Sequence, residues 1–211
     1  AQLLYWPDFF CKSLIDQGFR VIRFDNRDIG LSSKIHHQGP PLSIAKLMGR
    51  FALGLENQGA PYNLYDMADD VALLIEKMQL GQVYVLGASM GGMIAQILAA
   101  RYPEQVRALG LLFSSNNQPL LPPPFPKQLF SLIARPKSDD EDAIIDHNLQ
   151  IFKIIGSPGY LNHVEAAQAV RKLYQRSYYP TGVLQQFFAI LCTGSLLKLD
   201  QQIHQATLVV H

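Results

Sequence analysis

An apolar run, Val83-Tyr84-Val85-Leu86, passes without a linker into Gly87-Ala88-Ser89-Met90-Gly91-Gly92 and then into a helical pattern that Pro103 ends. A strand that is apolar on both faces needs cover on both sides, which is the situation of a parallel sheet flanked by helices. Gly91, Ala95 and Ala99 recur at steps of four, a row of minimal side chains that would let the helix approach the sheet closely. Ala108 to Phe113 is a second fully apolar strand, so the middle of the chain reads βαβαβ, a pattern that demands parallel strands and right-handed crossovers. Composition agrees: 17% of the 211 residues are charged, against about 25% in an average globular domain, and 48% are hydrophobic.

The flanks extend this frame. Phe9, Phe10, Leu14 and Ile15 share a helical face after Asp8, a capping residue, and Gly18 supplies the stop. Phe19 to Phe24 reads as a strand closed by the polar turn Asp25-Asn26-Arg27-Asp28-Ile29-Gly30, in which the charged residues pair locally. After a Gly- and Pro-punctuated stretch through Pro61, a helix places Leu64, Met67, Ala68, Val71, Leu74, Ile75 and Met78 on one face and stops at Gly81. Composition then changes at Ser114. A segment rich in proline (Pro119, Pro122, Pro123, Pro124, Pro126) leads into helical patterns at 143–155, 164–174 and 183–191, and the acidic run Asp139-Asp140-Glu141-Asp142 suits a helix N-terminus. A strand returns at Thr207–Val210. The expected organisation is a core over 1–114, a helical insertion over 115–195, and a return to the core over 196–211.

Gly87-Ala88-Ser89-Met90-Gly91 has the G-x-S-x-G spacing of a nucleophile elbow, in the required context of strand, sharp turn and helix. Such a turn exposes a serine hydroxyl at the carboxyl end of a strand. Gly87 and Gly91 supply small residues where strand and helix cross, and the Met90 N–H at the helix start points toward a developing oxyanion. Met90 and Met93 would shape the adjoining pocket. Dinucleotide binding is the competing reading, because Gly87, Ser89 and Gly92 imitate G-x-G-x-x-G. A serine in place of the middle glycine obstructs a pyrophosphate, and the next strand ends in Ser114 and Ser115 rather than in an acidic ribose ligand.

The stretch Val21-Ile22-Arg23-Phe24-Asp25-Asn26-Arg27-Asp28-Ile29-Gly30-Leu31-Ser32 resembles the D-x-R-G-x-G-x-S signature of α/β-hydrolase-fold proteins, with Asp28 in place of glycine as in its methylesterase-like and carboxylesterase-like branch. Ala206-Thr207-Leu208-Val209-Val210-His211 resembles the strand that precedes that family's catalytic acid. The resemblance implies an α/β fold with a partial parallel-sheet α/β-hydrolase core, truncated at both ends, and a helical cap over residues 115–195 that encloses an apolar pocket with Ser89. Phe125, Phe130, Phe152, Phe187 and Phe188 in that segment suggest an ester with an apolar group as substrate. The implied chemistry is carboxylic ester hydrolysis through an acyl-serine intermediate at Ser89, with no cofactor and no metal. Triad acid and histidine would follow His211, and the other oxyanion donor would precede Ala1, so these residues alone are expected to be inactive.

None of the six histidines (His36, His37, His147, His163, His204, His211) stands where the base should, with His163 the one to examine first. Cys11 and Cys192 lack metal-ligand spacing and read as buried free thiols, which with the absence of a signal-peptide pattern after Ala1 suggests a cytoplasmic protein. The chain lacks an initiating Met, so its natural N-terminus is expected to lie outside it. A net charge of +1 without like-charge blocks gives no footprint for nucleic acid, and no apolar run is long enough to span a membrane. The oligomeric state is not encoded in any pattern here. The alternative function is a non-catalytic ligand receptor or interaction module on the same fold.

Overall fold

The computed structural model describes residues 2–119, 121, 127–128, 131, 134, 136–138, 140–157, 159 and 162–211. Ala1, Pro122, Pro123, Pro124, Phe125, Pro126, Phe130 and Asp139 lie outside the described residues. In chain order the elements are a 3-10 turn (Leu3–Tyr5), α1 (Asp8–Asp16), α2 (Ile44–Ala52), α3 (Leu64–Lys77), β1 (Val83–Ala88), α4 (Met90–Arg101), β2 (Val106–Leu112), α5 (Glu141–Ile155), α6 (His163–Arg176), α7 (Pro180–Thr193), α8 (Leu197–Asp200) and β3 (Ala206–Val210). The chain divides into two compact units, one of Ala1–Ile35 with Pro122–Leu184 and one of His36–Leu121 with Gln185–His211. Among the described residues no helix is long and apolar enough to cross a membrane.

The second unit holds the sheet, in the order β1-β2-β3. Both pairings are parallel, with Val85 opposite Leu109 and Leu111 opposite Val209. α3 and α4 pack against each other, and α4 lies on β1 and β2. α4 is buried nearly all round, at Gly92, Ile94, Ala95, Gln96, Ile97, Leu98 and Ala99. That explains why it lacks the polar stripe of a surface helix. With Leu64, Met67 and Ala68 of α3 and Val106 and Leu109 of β2, these residues form the core of the unit. The start of α3 is fixed by a capping box: Asn63 Oδ1 accepts from the Tyr65 and Asp66 amides, and Asp66 accepts from the Asn63 amide. α2, which begins at the Ser43 cap, lies in the stretch read only as Gly- and Pro-punctuated, although Ile44, Leu47, Met48 and Phe51 recur at helical spacing.

β3 departs from the covered sheet that the sequence suggests: all five of its residues are exposed, including Leu208, Val209 and Val210 at 63%, 66% and 48%. Its apolar pattern is a strand signal, and cover requires a further layer that the described residues do not supply.

In the first unit, Phe19–Phe24 is not a strand. Exposure alternates over residues 20–24, but the segment joins no ladder, and Phe19, Ile22 and Phe24 are exposed. β-branched residues favour extended dihedrals, whereas a strand exists only where a partner completes its hydrogen bonds. Asp8 is likewise the first helical residue of α1 and not its cap, a position that Pro7 holds. Cys11 is the buried member of α1, while Phe9 and Ile15 stay exposed because they lie off the Phe10-Cys11-Leu14 face. α5, α6 and α7 begin and end within a few residues of the expected patterns. Glu141 and Asp142 open α5, and both meet Arg171 of α6, at 2.8 and 3.2 Å. Phe152 sits beside Tyr5, with ring centroids 6.1 Å apart.

The turn after Phe24 is held by partners distant in sequence. Asp25 meets Arg176 of α6 through two hydrogen bonds, 2.7 and 3.0 Å long, and accepts the Leu3 and Leu31 amides at 2.8 and 2.9 Å. Arg176 also donates to Gln2 at 3.0 Å, and Gln2 in turn donates to the Leu173 and Ser177 carbonyls. Burial pushes the Asp25 carboxyl up, but the hydrogen bonds from Arg176, Leu3 and Leu31 and the guanidinium charge prevail, holding it below its ordinary value. Four donors offered to one carboxylate is the arrangement that offsets the cost of burying a charge.

Candidate functional site

Ser89 occupies the single position between β1 and α4. Its backbone dihedrals, φ 52° and ψ −123°, belong to a region that glycine favours and L side chains avoid. The side chain is exposed beyond the carboxyl end of the strand. The Ser89 amide donates to the Leu112 carbonyl at 3.0 Å, which carries the β1–β2 ladder one step past the strand. Its carbonyl accepts the Gly92 amide at 2.9 Å and the Ser114 hydroxyl at 2.8 Å. At the start of α4 the Met90 and Gly91 N–H groups have no intrahelical acceptor and carry the positive end of the helix dipole.

Close approach of backbone explains the glycine at position 87. A Cβ there would stand 2.3 Å from the Gly91 carbonyl oxygen and 2.7 Å from the Gly92 Cα. Those are backbone atoms, so only a shift of strand against helix could make room.

Residues 2–153 match the family model described as alpha/beta hydrolase fold. The chain belongs to the α/β-hydrolase fold family. Among curated α/β-hydrolase relatives, rhodomycin D methylesterase DnrP of Streptomyces peucetius is 25% identical over 173 residues, which cover 73% of this chain and 51% of that protein. Poly(3-hydroxyalkanoate) depolymerase of Ectopseudomonas oleovorans is 29% identical over 197 residues, covering 93% of this chain and 59% of that protein. The chain thus spans about half the length of these two relatives. Solved structures agree in fold. A carboxylesterase of the thaumarchaeon Nitrososphaera gargenis superposes with a TM-score of 0.65 at 18% identity, over 99% of this chain and 67% of that one. The enol-lactonase of Burkholderia xenovorans LB400 gives 0.65 at 17% identity, with the same coverage.

Within this α/β-hydrolase chain, Ser89, Met90, Gly87 and Gly91 come together at one turn, as their spacing requires. Gly91 differs in its reason from the sequence expectation. A Cβ there would meet nothing within 4 Å, so although its backbone lies at the crossing with Gly87, crowding does not require glycine at 91. The crowded glycine after the serine is Gly92, where a Cβ would stand 2.5 Å from both Cβ and Oγ of Ser114. Gly92, Ala95 and Ala99 are buried in α4, so the expected row keeps its two alanines and has Gly92 in place of Gly91.

Ser114, Gln96 and Asn117 belong to the surroundings of the turn and were not singled out for that role by the sequence. Buried Gln96 donates to the Gly92 and Ser115 carbonyls, at 3.0 Å each. Asn117, at φ 52°, donates to the Ile190 and Gly194 carbonyls, at 2.9 Å each. The parallel register was the available signal: Ala88 lies opposite Leu112, so the residues just past β2 must stand beside Ser89.

No hydrogen bond joins a histidine to Ser89 among the described residues. His147 and His163 belong to α5 and α6 of the first unit, and His37 sits 3.2 Å from the Pro40 carbonyl. His163 lines a shallow groove with Ile145, Val164, Ala167, Gln168 and Arg171, all residues of the first unit. Both thiols are free, Cys11 buried and Cys192 only half-buried, with burial raising the Cys192 pKa.

Proposed function

We propose that this chain carries the nucleophile of a serine hydrolase acting on carboxylic esters, Ser89, with the general base and its orienting acid supplied by sequence outside these 211 residues. The observation that carries the reading is an exposed serine at φ 52° between a parallel strand and a helix. That conformation is costly unless a hydroxyl is wanted there. Ser89 Oγ attacks the ester carbonyl carbon while a histidine takes its proton. The tetrahedral oxyanion forms beside the Met90 N–H, the C–O bond of the ester breaks, and the alcohol leaves with the histidine's proton. Water then hydrolyses the acyl-serine by the same steps in reverse order of roles.

Ester chemistry is supported by the name of the first relative, a methylesterase, and by that of the carboxylesterase of similar fold. Two features support an outside base: the matches cover only 51% and 59% of these relatives' lengths, and among the described residues no histidine bonds to Ser89. The substrate we assign is a small ester with an apolar group.

The test compares the 211-residue chain, the full-length protein and its Ser89→Ala variant in p-nitrophenyl ester hydrolysis and fluorophosphonate labelling. Full-length protein should turn over ester and take the label, Ser89→Ala should lose both, and the short chain should show no turnover. A full-length protein that neither labels nor hydrolyses any ester in a broad screen would transfer the reading to a ligand receptor.

A further inference from the structure

We infer that Ser114 is a positioning residue for the oxyanion donor: its hydroxyl holds and polarises the Ser89–Met90 peptide unit, whose N–H faces the developing negative charge. The inference rests on the reading of Ser89 as nucleophile and adds a residue to its machinery. A peptide unit is planar, so its C=O and N–H point in opposite directions and whatever fixes one aims the other. The carbonyl of this unit belongs to Ser89 and accepts three donors, the Ser114 hydroxyl at 2.8 Å, the Gly92 amide at 2.9 Å and the Met93 amide at 3.4 Å. The two amides are part of the helix itself. Among the described residues only Ser114 reaches this carbonyl from another element, and it does so from the end of β2, whose Leu112 carbonyl also accepts the Ser89 amide at 3.0 Å. Both backbone polar groups of Ser89 are thereby tied to one neighbouring strand end.

The hydroxyl is aimed by its surroundings. Phe113 takes φ 37° and donates its amide to the Val210 carbonyl at 2.7 Å, turning the chain so that the next side chain faces the elbow. Ser114 Cβ and Oγ then occupy the space that a Cβ on Gly92 would need. The following residues are anchored as well, with the Ser115 carbonyl bound by Gln96 and its hydroxyl accepting the Asn117 amide at 3.2 Å. A donor on a peptide carbonyl strengthens the N–H of the same unit, because hydrogen bonds in a chain polarise one another. Ser114 thus does for the Met90 N–H what the helix alone does less well: it opposes rotation of the peptide plane as charge builds up on the other side.

The experiment uses the full-length protein with Ser114→Ala and Ser114→Cys; the second fills the same space with a poor donor and serves if the first folds badly, as thermal melting will show. Both should lower kcat for p-nitrophenyl esters about five- to tenfold, the size of one neutral hydrogen bond, with KM unchanged. Inhibition by an alkyl trifluoromethyl ketone, which adds to a serine to form a hemiketal oxyanion, should weaken by the same factor. The matching methyl ketone, which forms no such adduct, should bind as before. Wild-type kcat in Ser114→Cys would reduce Ser114 to a space-filler and overturn the inference, as would equal weakening of both ketones. Turnover that survives Ser89→Ala would instead remove the nucleophile reading itself, whatever the Ser114 variants do.

Discussion

The elbow around Ser89 and the cluster around Asp25 solve the same problem, holding a turn in one conformation, by opposite means. The elbow does it with missing atoms: Gly87 and Gly92 let backbones touch, and one hydroxyl from a strand end closes the gap. The Asp25 cluster does it with charge, converging Arg176 and two amides on one buried carboxylate. Steric fit of backbone tolerates no added volume, whereas an ion pair tolerates small shifts but no loss of a partner. The elbow's partners are also close in sequence, while Asp25 and Arg176 are 151 positions apart.

The largest effect that would sharpen this contrast is expected at Arg176. Arg176→Met leaves a carboxylate whose side chain is only 4% exposed without its cation, and should cost about 3 kcal/mol in urea unfolding. The Asp25 carboxyl is held below its ordinary value, so its stabilisation is complete above about pH 4 and is lost as pH falls through the folded value. The gap between wild type and Arg176→Met should therefore be constant near neutrality and shrink in acid. A gap that grew on acidification would mean that Asp25 is not the group involved.

A smaller effect separates the two glycines of the elbow. Gly87→Ala, which meets backbone, should destabilise by about 1–3 kcal/mol. Gly91→Ala, which meets nothing and lies inside α4, should be neutral or stabilise by up to about 1 kcal/mol through helix propensity. Equal losses at both positions would mean that a side chain at 91 is as crowded as one at 87. The smallest effect lies away from both turns: Asn63→Ala, which removes the α3 capping box, should cost about 1 kcal/mol in the same measurement.

Whether a feature could be read in the sequence followed the range of its interactions. β1, α4 and the serine between them were legible because strand, turn and helix are contiguous and each has a local pattern. α3 and the helices α5 to α7 were legible through their apolar periodicity. Phe19–Phe24 misled because dihedral preference is local but pairing is not, and the Asp25–Arg176 pair was invisible because it joins residues far apart in sequence. Ser114 carries no motif at all. Its role follows from register between β1 and β2, which exists only once the strands are paired.

The dihedrals of Ser89 set thermodynamic preference against chemistry. A glycine would adopt φ 52°, ψ −123° without the Cβ penalty, a relief of about 1–3 kcal/mol. Random substitution under selection for folding alone would therefore drift toward glycine at this position, and the resulting protein would be sturdier and silent. Where a serine persists in such a conformation, the fold is being kept below its own stability optimum, the usual form of a trade between stability and activity. A strained backbone in the second unit thus belongs to the residue on which the proposed reaction depends.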